Sequence, residues 1–145
     1  TRLTIESMQV TAPVVPVEVD AGGGLTIPDD PATIGWWSGG AAPGSPVGTV
    51  LVAGHVDSAR LGRGALFHLS QARIGTVVTI RGDGHQQSYR VTARRRYVKK
   101  DLPWRTLFAQ DATPRLVLVT CGGDFDRTTR HYTDNVVVLA VPTGS

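Results

Sequence analysis

The sequence holds a single cysteine, Cys121, in 145 residues. One thiol cannot close an internal disulfide, and no zinc site built from several cysteines can be made from it, so neither staple contributes to the fold. A chain of this length buries enough apolar surface to fold without them. Lysine is nearly as scarce: thirteen of the fifteen basic residues are arginine, Lys99 and Lys100 being the exceptions, and ten of the twelve acids are aspartate. The net charge of +3 is too small to argue for nucleic-acid binding. The arginines also lack the interleaved aromatic residues on which single-stranded bases stack. No run of 18 apolar residues occurs, so no transmembrane helix is expected within these residues. No stretch reads as a signal peptide. Aspartates 29, 30, 124, 126 and 134 are scattered without calcium-loop spacing, so no metal site is expected.

What remains is an ordinary globular balance, 41% hydrophobic and 19% charged, with 17 glycines and 9 prolines to supply turns. One domain is expected. Short β-branched runs recur between Gly, Pro and Asp punctuation: Leu3–Val10, Val14–Val19, Val47–Ala53, Val77–Arg81, Gln87–Val98, Leu116–Cys121 and Asn135–Val141. Arg81-Gly82-Asp83-Gly84-His85 reads as a hairpin between two of them. Two short segments read as helical, Gly64–Gln71 and Trp104–Gln110. About seven strands with little helix point to an all-β barrel or sandwich. Arg94-Arg95-Arg96 followed by Lys99-Lys100 reads as a solvated edge strand, because successive side chains of a strand face opposite sides. Trp36-Trp37 reads as packing in the core or at a barrel mouth.

Two of the runs are apolar enough to be central. Val50-Leu51-Val52-Ala53 ends in Gly54-His55, and Leu116-Val117-Leu118-Val119-Thr120 ends in Cys121-Gly122-Gly123. Each delivers a chemically active side chain where a rigid strand gives way to a glycine or a loop. Cys121 reads either as a small buried hydrophobe or as a nucleophile. The second reading is favoured by the cations close to it in sequence, Arg115, Arg127, Arg130 and His131, which promote the thiolate. His55, in Gly54-His55-Val56-Asp57-Ser58, is either a polar strand end or a proton-transfer partner. His68 reads as half-buried packing and His85 as solvated. A thiol with a histidine suits acyl transfer through a thioester, whose oxyanion needs a donor. Arg127 and Arg130, six and nine residues after the cysteine, are the candidates, since a guanidinium stays charged and presents several donors.

In these motifs and their order the chain resembles the sortases, and most closely the actinobacterial class E/F type. The resemblance runs from Arg2–Val14, similar to the family's first strand, through Leu25–Trp37, to the histidine motif Gly48–Ser58. It continues in the cysteine strand Leu116–Asp126 and in His131–Val138. It implies an eight-stranded sortase-type β-barrel with one or two short helices. Residues 1–143 would form a single catalytic domain and 144–145 a tail. The domain would lie on the extracellular face of a Gram-positive membrane, monomeric, and held by an N-terminal membrane segment outside this sequence. It also implies a cysteine transpeptidase without a cofactor. Cys121 would attack the Thr–Gly bond of an LPXTG-like sorting signal, His55 would be general acid for the leaving amine, and an arginine would stabilise the oxyanion. A cell-wall precursor of the lipid II kind or a pilin lysine would supply the accepting amine. Thr120, Asp57, Arg127 and His131 would contact substrate. One position departs from the class E/F pattern: the arginine expected just before Asp134-Asn135-Val136 is Thr133 here, which leaves Arg130 as the assigned arginine. A thiol hydrolase acting on the same peptides, and a non-catalytic barrel that binds cell-surface ligands, are the alternatives. Arg130→Ala is expected to lower turnover by about 10²-fold or more, the scale of losing an oxyanion donor. Steady-state rates on a sorting-signal peptide check this, and full activity in that variant with loss in Arg127→Ala reverses the assignment.

Overall fold

The computed structural model describes residues 1–145 except 20, 22–25, 29, 56, 59–61, 83, 99–105, 107–109, 111–112, 127–130 and 144–145. Its strands are β1 (Arg2–Ile5), β2 (Val10–Val17), β3 (Ile34–Trp37), β4 (Thr49–Gly54), β5 (Asp57–Ser58), β6 (Gly62–Arg63), β7 (Val77–Gly82), β8 (His85–Val98), β9 (Arg115–Asp126) and β10 (His131–Pro142). Eight of them close a barrel in the order β1-β2-β3-β4-β9-β10-β8-β7, and β5 and β6 pair separately. The eight-stranded barrel is the architecture that the family resemblance implies, and it decides between the barrel and the sandwich that the strand runs left open.

The alternation along β9 and β10 sorts the apolar side chains into two layers. Leu116, Leu118, Val136, Val138 and Ala140 join Val50, Val52, Ile34, Leu3 and Ile80 in the large cluster that fills the barrel. Leu51, Ala53, Val117, Val119 and Val137 form a second cluster on the other face, covered by Trp37, Tyr97, Ile27 and Leu139. All six residues of β4 are therefore buried. A strand covered on both faces reads as a continuous apolar run, and this one does. At its start the side-chain amide of Gln110 acts as a short extra strand: Thr49 N donates to Gln110 Oε1 at 3.2 Å and Gln110 Nε2 donates to Thr49 O at 3.0 Å. Gly48, at φ +88°, leaves room for this clamp, since a Cβ there would lie 2.5 Å from Gln110 Oε1.

Several elements differ from the sequence expectation. Leu3–Val10 is not one strand, because a 3₁₀ turn at Glu6–Met8 followed by Gln9 at φ 57° reverses the chain between β1 and β2. The segment Gly64–Gln71 is not an α-helix. Its bonds all close over three residues, Phe67 N to Gly64 O, Leu69 N to Leu66 O, Gln71 N to His68 O and Ala72 N to Leu69 O. Leu66, Leu69 and Ala72 are buried at that same spacing, which a 3₁₀ path aligns and an α-helix does not. Of Trp104–Gln110, only helical Thr106 and the clamp residue Gln110 lie within the described residues. β3 carries Trp36 and Trp37 as a strand, parallel to β2 and antiparallel to β4. Arg94–Arg96 are exposed, as expected; past Arg90 the ladder of β8 is with β10, while Val91 still exchanges backbone bonds with Gly75 and Thr76. β8 as a whole is a wall strand of the closed barrel rather than an edge, because its first half pairs with β7 as well.

The two barrel ends differ. Leu66, whose side chain lies within van der Waals reach of Gly54, packs with Leu69 and Ala72 against the barrel core where β4 ends. At the opposite end, between the segment preceding β4 and the β7–β8 hairpin, is a cavity of about 650 Å³ floored by Val14, Val52 and Ile80. Tyr89 lies near that end, and its hydroxyl accepts from Gly44 N at 3.1 Å. Burial pushes the phenol's pKa up, partly offset by this bond. Leu118 is fully buried in the wall between β4 and β10. Leu118→Ala is expected to cost about 2–5 kcal/mol of unfolding free energy, through lost burial and the cavity left behind. Urea denaturation checks this against the intact chain.

Candidate functional site

β4 and β9 are parallel neighbours in register from Thr49↔Arg115 to Gly54↔Thr120. His55 leaves the last rung of that ladder on one strand as Cys121 leaves it on the next. Adjacent strands lie about 4.8 Å apart, so the pairing places the backbones of residues 55 and 121 side by side. They are 66 positions apart in sequence, and only the parallel pairing unites them. The rung itself is locked by Thr120 Oγ1, which donates to Gly54 O at 2.7 Å in a buried bond.

His55 is half-buried. Its carbonyl sits against the turn that plugs the barrel: a Cβ on Gly64 would lie 2.5 Å from His55 O and 2.6 Å from Pro31 O. Ala65 N donates to Pro31 O at 2.9 Å, which fixes the same turn from the other side. The backbone at residue 55 is thus held by β4 before it and by the 64–65 turn beside it. Gly64 is required there because any side chain would collide with two backbone oxygens rather than with a movable side chain.

Cys121 lies within β9, opposite Asn135 of β10. Asn135 in turn lies opposite Tyr97 of β8. Positions 121, 135 and 97 therefore form one row across three neighbouring strands, with residue 55 one step past the end of β4 on the other side of β9. Asn135 is one of the few buried polar residues among the described residues, 8% exposed. Immediately beyond Cys121 the ladder is irregular. Asp134 pairs with Gly122 and Tyr132 with Phe125, so Gly123 and Asp124 of β9 face the single residue Thr133 of β10. This is a β-bulge, a device that bends a strand and re-aims the residues beyond it. Thr133, the position at which the class E/F pattern expects arginine, is the β10 residue of that bulge.

The remaining sequence candidates take other places in the fold. Thr120 is 3% exposed and its hydroxyl is engaged by Gly54 O, so it supports the rung rather than presenting a free donor. Asp57 is in β5, opposite Arg63, and His131 begins β10 opposite Asp126; neither lies in the row of Cys121. Arg127 and Arg130 lie outside the described residues. Asn135 and Tyr97 were not singled out as site candidates by the sequence, where each reads as an ordinary member of a strand run.

The sequence profile of the sortase domain matches residues 3–143. Solved structures give the same picture. A lid mutant of sortase A from Corynebacterium diphtheriae superposes with a TM-score of 0.76 at 18% identity, over 99% of this chain and 69% of that one. Sortase C-1 from Actinomyces oris gives 0.74 at 18%, over 99% and 73%. Sortase C1 from Streptococcus agalactiae gives 0.74 at 17%, over 99% and 67%. No curated protein matches the sequence. Thr120→Val keeps the shape of the side chain and removes the donor to Gly54 O. It is expected to lower unfolding free energy by about 1–3 kcal/mol, the cost of leaving a buried acceptor unmet. Denaturant melts test this, and Thr120→Ser, which keeps the hydroxyl, is expected to recover most of the loss.

Proposed function

The chain belongs to the sortase family of cysteine transpeptidases, and on that premise we propose that it cleaves an LPXTG-like sorting signal between Thr and Gly and passes the acyl group to an amine. The observation that carries this reading is that residues 55 and 121 each follow directly on the last rung of the parallel ladder between β4 and β9. Cys121 is the nucleophile. Its thiol proton passes to His55 as sulfur attacks the threonine carbonyl, and the oxygen gains the charge that a guanidinium stabilises. Arg130 is assigned this role, with Arg127 the alternative. The tetrahedral intermediate collapses with cleavage of the C–N bond, and His55 returns its proton to the departing glycine amine. The thioester so formed is attacked by the accepting amine, which loses a proton and releases the Cys121 thiol. No redox step or cofactor enters this sequence.

The rigidity on either side supports the assignment. Catalysis by proximity needs the two reacting side chains on elements that do not move relative to each other. Here β4 is buried on both faces and locked to β9 by the bond from Thr120 to Gly54. The acceptor is a lipid II-like cell-wall precursor or a pilin lysine, and the enzyme works at the outer face of the membrane. Incubation of LPXTG-type peptides with and without an added amine tests the reading. Transfer product is expected in its presence, and Cys121→Ala and His55→Ala are expected to lose at least about 10³-fold in rate, as when one member of a catalytic unit is removed. Hydrolysis alone at every amine concentration would favour the thiol hydrolase. Unreduced cleavage by Cys121→Ala would defeat the reading.

A further inference from the structure

We propose that Asn135 is a positioning residue for Cys121, an amide set directly across the ladder from it that favours the thiolate; this rests on the reading of Cys121 as nucleophile. The proposal comes from placement. Asn135 is paired directly with Cys121 across the β9–β10 ladder, on the side away from His55. Directly opposed residues of an antiparallel pair share a face and are the closest cross-strand neighbours a sheet provides. The register is continuous from Asn135↔Cys121 to Ala140↔Leu116, with its irregularity confined to the bulge beyond, so this pairing is held by a regular ladder.

The chemistry of the position is unusual for its surroundings. Asn135 falls in the odd-numbered series with Val137, whose cluster on the outer layer is apolar. It is 8% exposed in a strand whose next three residues are valine. A buried amide in an apolar strand costs free energy unless it is hydrogen-bonded, and a valine would serve packing better. An amide is a donor that does not titrate, so it can stabilise a thiolate at any pH without competing with His55 for the proton. Hydrogen bonds to the charged form of a group favour that form. The register thus sets position 121 between position 55, which carries an acid–base group, and position 135, which carries an amide.

The test reads Cys121 itself. Alkylation by iodoacetamide is followed by mass spectrometry as a function of pH, in the intact domain and in Asn135→Ala, Asn135→Asp and Asn135→Ser. Loss of the donor in Asn135→Ala is expected to raise the midpoint of the profile by about one pH unit, the scale of one hydrogen bond to an ionised group. Asn135→Asp places a like charge beside the thiolate and is expected to raise it further. Asn135→Ser, a smaller donor, is expected to fall between the intact domain and Asn135→Ala, and keeps the comparison open if the alanine variant does not fold. Val137→Ala, two residues along the same face, controls for packing loss and is expected to leave the midpoint in place. Superimposable profiles in the folded Asn135 variants overturn the proposal, as does an equal shift in Val137→Ala. Survival of peptide cleavage in Cys121→Ala would instead overturn the functional reading, and the alkylation profile would still decide the role of Asn135.

Discussion

The parallel pairing of β4 with β9 is the constraint on which the rest of the molecule depends. Two parallel neighbours cannot be joined by a tight turn. The chain between Gly54 and Arg115 must therefore travel around the barrel, and it supplies the plug, β7 and β8 on the way. Because β4 and β9 are flanked by β3 and β10, the pair is the inner seam of the wall. Both its faces are covered, and its last rung carries a hydroxyl-to-carbonyl bond shielded from water. The candidate residues His55 and Cys121 each stand one residue past that rung.

The plug and the bulge serve this seam from opposite sides. The 64–72 turn packs Leu66, Leu69 and Ala72 against the barrel core and brings Gly64 against the backbone at His55, so the end of β4 is buttressed by the same residues that close the core. Past Cys121, the extra residue in β9 breaks the regular ladder just after it has been used. A site needs such an asymmetry: order up to the reacting group, and a change of direction beyond it that leaves space for a substrate.

The strands that build the seam were legible because burial on both faces leaves an uninterrupted apolar run, as in Val50–Ala53 and Leu116–Val119. The end positions of those runs single out Cys121 and His55 as the candidate residues. What could not be read was whatever depends on a partner. Ile34-Gly35-Trp36-Trp37 carries a glycine and two indoles and has no alternation; it is a strand because β2 and β4 flank it. Leu66 and Leu69 suit a helix or a 3₁₀ path equally until the barrel end selects the latter. Arg94–Arg96 have the composition of an edge, and only the register shows one half of β8 inside the wall. Asn135 looks like a polar strand start, and its significance is a matter of which residue lies across from it. Pairing is a long-range property, and composition does not encode it.

The route of the chain has a kinetic side. His55 and Cys121 meet only after β9 has found β4, across a loop that carries most of the remaining barrel. Closing such a separation costs loop entropy before any contact repays it, and parallel long-range pairing is slow for that reason. Cys121 would then come alongside the end of β4 late in folding, when the barrel has nearly closed around the seam. Until that step, Cys121 would have only its β10 neighbour, Asn135, across the local β9–β10 ladder.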